Sequence, residues 1–248
     1  MTSVKLQNCF ELAKSLKDLS VDLLLTDPPY SGVIRDEWDN QWAEDCSYAA
    51  WLCAVLEAFL PKLKLNASVI FFGGIGKHRD RPLFRTMLAI EAKGLLHCRN
   101  LITWKKRRAY GKSHDYLFCR EEIAWYSVSK ERTGVTFNVP LLAEKRGYEG
   151  FSAKYPAKSE FKRVSNVWDD IPELMRPKRV AQKPVELMRR LVKTHSNKGD
   201  LIVDPFAGSG ATGLAALLEG REFVGADTDP DAVKMANDSL EDLKKKGF

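Results

Sequence analysis

The chain has no long apolar run. No stretch approaches the roughly 20 consecutive apolar residues that a membrane helix requires. Met1 to Phe10 also lacks the basic start and apolar continuation of a secretory leader. The expectation is a cytoplasmic protein with no membrane partner. Cysteine is sparse: Cys9, Cys46, Cys53, Cys98 and Cys119 are scattered and odd in number. That pattern argues for reduced thiols rather than a disulfide framework or a zinc site. His78, His97, His114 and His195 are equally dispersed, so ligand spacing is absent and no metal is expected. There is no internal repeat and no low-complexity tract. The glycine turn Gly208-Ser209-Gly210 is not followed by a Lys-Ser/Thr pair, so it is not a Walker phosphate loop.

What is present suits one α/β domain of generous size, or a domain carrying an inserted module: 248 residues, 44% of them hydrophobic. Lys plus Arg number 39 against 33 Asp plus Glu, a net charge of +6. An excess this small says little about a polyanion partner, but its distribution says more. The stretch to Asp45 is acidic, whereas basic residues crowd from Arg99 to Lys183. Concentration in one middle segment points toward nucleic acid.

Val21 to Thr26 is apolar except for Asp22 and runs into Asp27-Pro28-Pro29-Tyr30, which reads as a buried parallel strand ended by two prolines. Ala43 to Leu60 has helical spacing and stops before Pro61. Ser68 to Phe72 reads as a strand, Arg81 to Ala92 as a helix, and Leu101 to Trp104 and Glu122 to Val128 as strands. From Ser129 to Pro177 the pattern weakens, broken by Gly134, Gly147, Gly150, Pro140 and Pro156. This reads as an irregular module or long loops inserted in the domain, since a stretch so long without regular structure is usually functional or disordered. Order returns with a helix over Val185 to Thr194, a strand over Leu201 to Val203, a helix over Ala211 to Leu218, a strand over Glu222 to Ala226 and a helix over Asp231 to Leu243. Strands alternating with helices imply a parallel sheet with helices on both faces.

Two turns carry chemistry. In the first, a strand leads through Gly208-Ser209-Gly210 to a helix, and the next strand ends at Asp227. Glycines let backbone approach a ligand, the helix start presents free amides and positive dipole, and the acid can accept ribose hydroxyls. This spacing predicts a nucleoside cofactor. The segment Asp204-Pro205-Phe206 crowds the place of a pyrophosphate, so methionine fits better, its ammonium facing Asp204 or Asp27. In the second turn, Asp27 and the Pro28 carbonyl can each accept one hydrogen of a planar amine, and Tyr30 can stack on its ring. The amine then attacks a sulfonium methyl directly, so no cysteine nucleophile is needed.

With these motifs in this order the chain resembles the amino-directed DNA methyltransferases of the β order. In that family the Asp-Pro-Pro-Tyr motif comes first, the target-recognition region follows, and the cofactor motif comes last. Leu6-Gln7-Asn8-Cys9 resembles the adenosine-contacting segment, which usually has Gly-Asp in place of Gln7-Asn8. Trp38-Asp39 and Trp51 resemble the aromatic positions after the catalytic turn. Val167-Trp168-Asp169 and Gln182-Lys183-Pro184 resemble the lead into the cofactor helix, with Arg179-Val180 where His-Pro usually stands. Asp204 to Gly210 resembles the cofactor loop, and Asp227 stands where Glu is usual.

The resemblance implies a Rossmann-like α/β fold: a twisted, mostly parallel sheet of about seven strands, helices on both faces, a circularly permuted motif order and a small inserted target-recognition region. It implies S-adenosyl-L-methionine as cofactor and base flipping as the access route. The catalytic residues implied are Asp27, Pro28, Pro29 and Tyr30. The cofactor contacts implied are Asn8, Cys9, Asp27, Lys183, Asp204, Pro205, Phe206, Ala207, Gly208, Ser209, Gly210, Thr212, Asp227 and Thr228.

The expected organisation is a catalytic half (1–128), a target-recognition insert (129–179) and a cofactor half (180–248). Lys105, Lys106, Arg107, Arg108 and Lys112 form a candidate phosphate-binding loop. Lys145, Arg146, Lys162 and Arg163 in the insert are further DNA candidates, among aromatics such as Phe137, Tyr148, Phe151, Tyr155 and Phe161. A solvated charge run is the plain alternative for each group. The expected substrate is double-stranded DNA methylated at adenine N6. N4-cytosine is the alternative, less favoured because those relatives more often have Ser where this chain has Asp27. A protein or RNA methyltransferase and an inactive DNA-binding relative are less favoured. A homodimer and a cognate restriction endonuclease are the partners such enzymes suggest.

Overall fold

The computed structural model describes residues 2–30, 39, 41–42, 45–74, 81–111, 113–114, 116–145, 150–152, 155–156, 159–177 and 182–247. Trp38, Lys112, Arg146, Tyr148 and the pair Arg179-Val180 lie outside the described residues, as do the side chains of Phe151 and Tyr155.

The order of elements is β1 (Ser3–Leu6), α1 (Cys9–Ser15), β2 (Val21–Thr26), α2 (Asp45–Phe59), β3 (Leu63–Gly73), α3 (Pro82–Lys93), β4 (His97–Tyr110) and β5 (Phe118–Ser127). Five short strands follow: β6 (Leu141–Lys145), β7 (Gly150–Ser152), β8 (Tyr155–Pro156), β9 (Phe161–Arg163) and β10 (Val167–Trp168). The chain closes with α4 (Val185–His195), β11 (Leu201–Asp204), α5 (Ala211–Leu218), β12 (Glu222–Asp227) and α6 (Pro230–Lys245).

The main sheet has eight strands rather than about seven, in the order β1-β12-β11-β2-β3-β5-β4-β10. The pairs from β1 through β3 are parallel, β5 runs antiparallel to β3 and β4, and β10 is parallel to β4. The central strands are apolar on both faces, as a sheet covered by helices on both sides requires. In β2, Leu23 and Leu25 pack into one core with α4, α5 and α6. Val21 and Leu24 pack into the other, with α1, α2 and α3. Strand β3 divides likewise, Ile70 and Phe72 to one side, Val69 and Phe71 to the other. Asp22, the charged residue of β2, is buried because it is satisfied. It accepts from Lys64 Nζ at 2.8 Å and from the Leu201 amide at 3.0 Å, tying β2 to β3 and β11.

Two expectations need correction. Helix α1 was not among the expected elements, although Asn8 and Glu11 stand at capping-box spacing. Asn8 Oδ1 accepts from the amides of Phe10 and Glu11, and Glu11 Oε2 accepts from the Asn8 amide. The stretch 129–179 is not wholly an insert either. Phe137 stacks on Trp125 of β5, Asn138 is hydrogen-bonded to the end of α4, and β10 joins the main sheet. Among the described residues, the small ladders β6·β9 and β7·β8 are the strands that stand outside that sheet.

Candidate active site

The C-terminal ends of β1, β12, β11 and β2 come together at one edge of the sheet, where open α/β sheets hold their ligands. Leu6 is in register with Asp227, and the Gln7 amide donates to the Asp227 carbonyl (3.1 Å). Gly208 N–H donates to Asp227 Oδ2 at 2.8 Å and Asp229 N–H to Oδ1 at 3.0 Å. Asp227 thus holds the glycine turn while each of its oxygens keeps a free lone pair. Gly208 has φ +50°, and a Cβ there would meet nothing within 4 Å, so the turn borders open space. Gly210 has φ +84° and its Cβ would lie 2.9 Å from Cβ of Ala236, so here glycine is needed for α6 to pack on the turn. Ser209 and Thr212 are buried, Phe206 is half-buried, and Thr228 is exposed.

Asp204 does not face outward as expected. It is 1% exposed. Oδ1 accepts from Thr26 Oγ1 (2.8 Å) and the Phe206 amide (3.1 Å), and Oδ2 from Thr212 Oγ1 (2.6 Å). Three of about four acceptor positions are therefore filled by protein. Burial pushes its pKa up to about 7, against those hydrogen bonds, with Asp27 nearby adding to the rise. Asn8 is likewise occupied as the cap of α1. Cys9 is buried, and burial pushes its thiol up to about 11, so it is inert.

Asp27 follows β2 directly. Tyr30 Oη donates to its Oδ1 at 2.7 Å, and Lys183 Nζ donates to its Oδ2 at 2.5 Å. Lys183, implied as a cofactor contact, thus spends its ammonium on the acid of the other motif. Its side chain is 4% exposed and lies 5.2 Å from the ring centroid of Tyr30 and 5.1 Å from that of Phe72. The Tyr30 amide donates to Asp39 at 2.5 Å. Phe206, half-buried beside the glycine turn, begins a chain of ring contacts through Trp51 to Trp42 and Tyr48, with centroids 4.7–5.8 Å apart.

Glu121 of β5 was not legible as part of this group. Its Oε2 lies 3.3 Å from Lys183 Nζ and 3.2 Å from Tyr30 Oη, and its Oε1 pairs with Lys106. Burial raises the Asp27 pKa and Glu121 raises it further, while Lys183 opposes. For Glu121, burial is more than offset by Lys183 and Lys106, which hold it below the ordinary value.

The basic residues divide. Lys105 to Arg108 are not a loop: they lie in β4, at an irregularity where Lys105 pairs with Arg120 but Tyr110 with Phe118. The amides of Arg107 and Arg108, freed by this bulge, both donate to Glu173 at 2.8 Å. Lys105, Arg107 and Arg108 are exposed, but Lys106 is turned inward to Glu121. In β6 and β9, Lys145 pairs with Glu160 and Lys162 with Glu144, and Arg163 is exposed. No group of His, Cys, Asp and Glu suited to a metal occurs among the described residues.

Comparison with known proteins shows the family. Residues 21–238 match the family model described as "DNA methylase". The chain is 26% identical over 261 aligned residues to the type II methyltransferase M1.MboII of Moraxella bovis, covering 96% of this chain and 95% of the relative. It is 27% identical over 241 residues to the DNA adenine methyltransferase YhdJ of Escherichia coli K12, covering 90% and 76%. The crystal structure of M1.HpyAVI in complex with SAM superposes with a TM-score of 0.64 at 20% identity, covering 97% of this chain and all of that one.

Proposed function

Because this chain belongs to the DNA methylase family, we propose that it transfers a methyl group from S-adenosylmethionine to the exocyclic N6 of adenine in double-stranded DNA. One observation carries this reading: the Asp27–Tyr30 turn and the Gly208 turn leave the ends of adjacent parallel strands, β2 and β11. Acceptor site and cofactor site are thereby neighbours. The names of M1.MboII and YhdJ support it, the latter naming adenine as target.

The residues fit that cofactor. Gly208 borders open space, and Asp227 keeps acceptor capacity for ribose hydroxyls. Gln7 Nε2 is buried without a hydrogen-bond partner, beside Asp227, where a ligand acceptor would satisfy it. When bound, S-adenosylmethionine supplies an electrophilic methyl group. Asp27 and the Pro28 carbonyl accept the two amino hydrogens of a flipped base, which turns the nitrogen lone pair toward the methyl. Tyr30 stacks on the base, a contact worth about 1–3 kcal/mol that offsets the cost of flipping. Its hydroxyl bond to Asp27 holds the ring in place. The exposed Lys105, Arg107 and Arg108 neutralise phosphates.

Residues 1–128 and 180–248 form the two halves of one catalytic body in this reading. Target recognition falls to the stretch 129–179, chiefly to its ladders between Leu141 and Arg163. A homodimer, a cognate endonuclease and a cytoplasmic setting belong to the same proposal.

The test is incubation of the protein with radiolabelled S-adenosylmethionine and unmethylated plasmid, followed by nucleoside identification. Labelled N6-methyladenine from wild type, and none from Asp27→Ala, is the expected result. N4-methylcytosine would keep the mechanism and change the base. No labelled nucleoside would overturn the proposal.

A further inference from the structure

Both donors that serve Asp27 also serve Glu121. Lys183 Nζ lies 2.5 Å from Asp27 Oδ2 and 3.3 Å from Glu121 Oε2. Tyr30 Oη lies 2.7 Å from Asp27 Oδ1 and 3.2 Å from the same Glu121 oxygen. A tyrosine carries one hydroxyl hydrogen, so the two carboxylates compete for it, and they share one ammonium. The outer oxygen of Glu121 is held by Lys106, whose own ammonium lies 5.3 Å from the Trp104 ring centroid. Two acids and two ammonium groups are thus linked in one set reaching from β4 to the turn after β2.

We propose that Glu121 is a positioning residue for methyl transfer: it shares Lys183 and Tyr30 with Asp27 and so keeps the Asp27 carboxylate a strong acceptor for the amino group of the base. The inference rests on the reading that Asp27 receives that amino group. Without Glu121, Lys183 would pair with Asp27 alone and withdraw its acceptor strength. An ammonium beside the base nitrogen, unbalanced by Glu121, would also oppose the positive charge that nitrogen gains as its new bond to carbon forms. As that bond forms the methyl–sulfur bond breaks, its electron pair staying on sulfur as a neutral thioether, and the nitrogen returns to neutrality by passing a proton to solvent by way of the Asp27 carboxylate that holds its amino hydrogen.

Among the described residues, the ionisable groups around Asp27 include Lys183 ahead of α4, Glu121 of β5, Tyr30 of its own turn, Asp204 of β11 and Tyr48 of α2, with Lys106 of β4 acting through Glu121 and the buried Asp39 at the Tyr30 amide. Two of them allow opposite perturbations. Glu121→Gln removes a negative neighbour and lowers the Asp27 pKa. Lys183→Met removes a positive one and raises it.

The experiment follows the carboxyl carbon of Asp27 by 13C NMR titration in the free protein, assigned with Asp27→Asn, alongside pH–rate profiles on DNA. Glu121→Gln keeps the side-chain shape and so the fold. Its Asp27 midpoint and the acid limb of kcat are expected at lower pH, with kcat down about tenfold and KM for both substrates within twofold. Lys183→Met is expected to move both to higher pH. An Asp27 midpoint in Glu121→Gln that coincides with wild type overturns the proposal, as does a loss confined to KM. A wild-type protein that leaves DNA unlabelled overturns the proposed function instead. The NMR titration then still decides whether Glu121 governs Asp27.

Discussion

Gly208 and Gly210 stand two residues apart and have different reasons to be glycine. Both have positive φ, which costs a non-glycine residue about 1–2 kcal/mol. At Gly210 a methyl group would also meet Cβ of Ala236 at 2.9 Å, against the packing of α5 and α6. At Gly208 it would project into open space. Gly210→Ala is therefore expected to lose roughly 2–3 kcal/mol of stability in urea unfolding. Gly208→Ala should lose only about 1 kcal/mol while weakening S-adenosylmethionine binding at least tenfold by calorimetry. Equal stability losses, with cofactor affinity kept in Gly208→Ala, would show that the turn faces no ligand. The motif pattern marked both glycines, but only packing separates the one that serves the fold from the one that borders the cleft.

Among elements, β4 departs furthest from what its sequence suggested. Leu101 to Trp104 was legible as a strand because it is apolar. The continuation to Tyr110 was not, because a run of two lysines and two arginines reads as loop. The ladder with β5 carries it, and Glu173 takes up the two amides that the bulge releases. The strand's alternation then sends Lys106 inward to Glu121 while Lys105 and Arg107 face solvent. Lys105→Ala combined with Arg107→Ala is expected to flatten the slope of log affinity for DNA against log salt by about 2, near 0.9 per phosphate contact. Lys106→Ala should leave that slope unchanged and lower kcat. Lys145 and Lys162, already paired with acids across their small ladder, should each change it by less than one. Fluorescence anisotropy over a range of salt separates these cases. An unchanged slope in the double variant would take β4 out of the DNA interface.

At the scale of the whole molecule, Asp204 is a junction. Its carboxyl joins β11 to Thr26 at the end of β2 and to Thr212 in the first turn of α5. With a folded pKa raised to about 7 from 3.8, the folded state holds a proton that the unfolded chain releases near pH 4. Below pH 4 both states are protonated and the group contributes nothing to the pH dependence. As pH rises from about 4 to 7 the unfolded state is favoured, and above 7 the penalty is complete. Asp204→Asn removes that ionisation, so its stability should fall less than that of wild type between pH 5 and 7.5 in urea melts. Parallel pH curves for the two proteins would show that Asp204 is ionised throughout.

The sequence by itself determined the α/β architecture, the principal strands and helices, and the two turns at Asp27 and Gly208. These follow from local physics: apolar periodicity, proline and glycine punctuation, and acids at strand ends. It pointed to the DNA methylase family as well, because both motifs are contiguous. Tertiary structure alone decided which acids are free and which are spent. Asp204 and Asn8 read as ligand contacts, but Asp204 accepts from Thr26, Phe206 and Thr212 and Asn8 Oδ1 caps α1, whereas Glu121, 94 residues beyond Asp27, gave no local sign of its place beside it. Strand β10 joined the sheet for the same kind of reason. Two residues have too little periodicity to announce a strand, and only the open edge of β4 gives their backbone a partner. Hydrogen bonds and ion pairs between distant segments depend on where the chain returns, and no spacing along the chain encodes that.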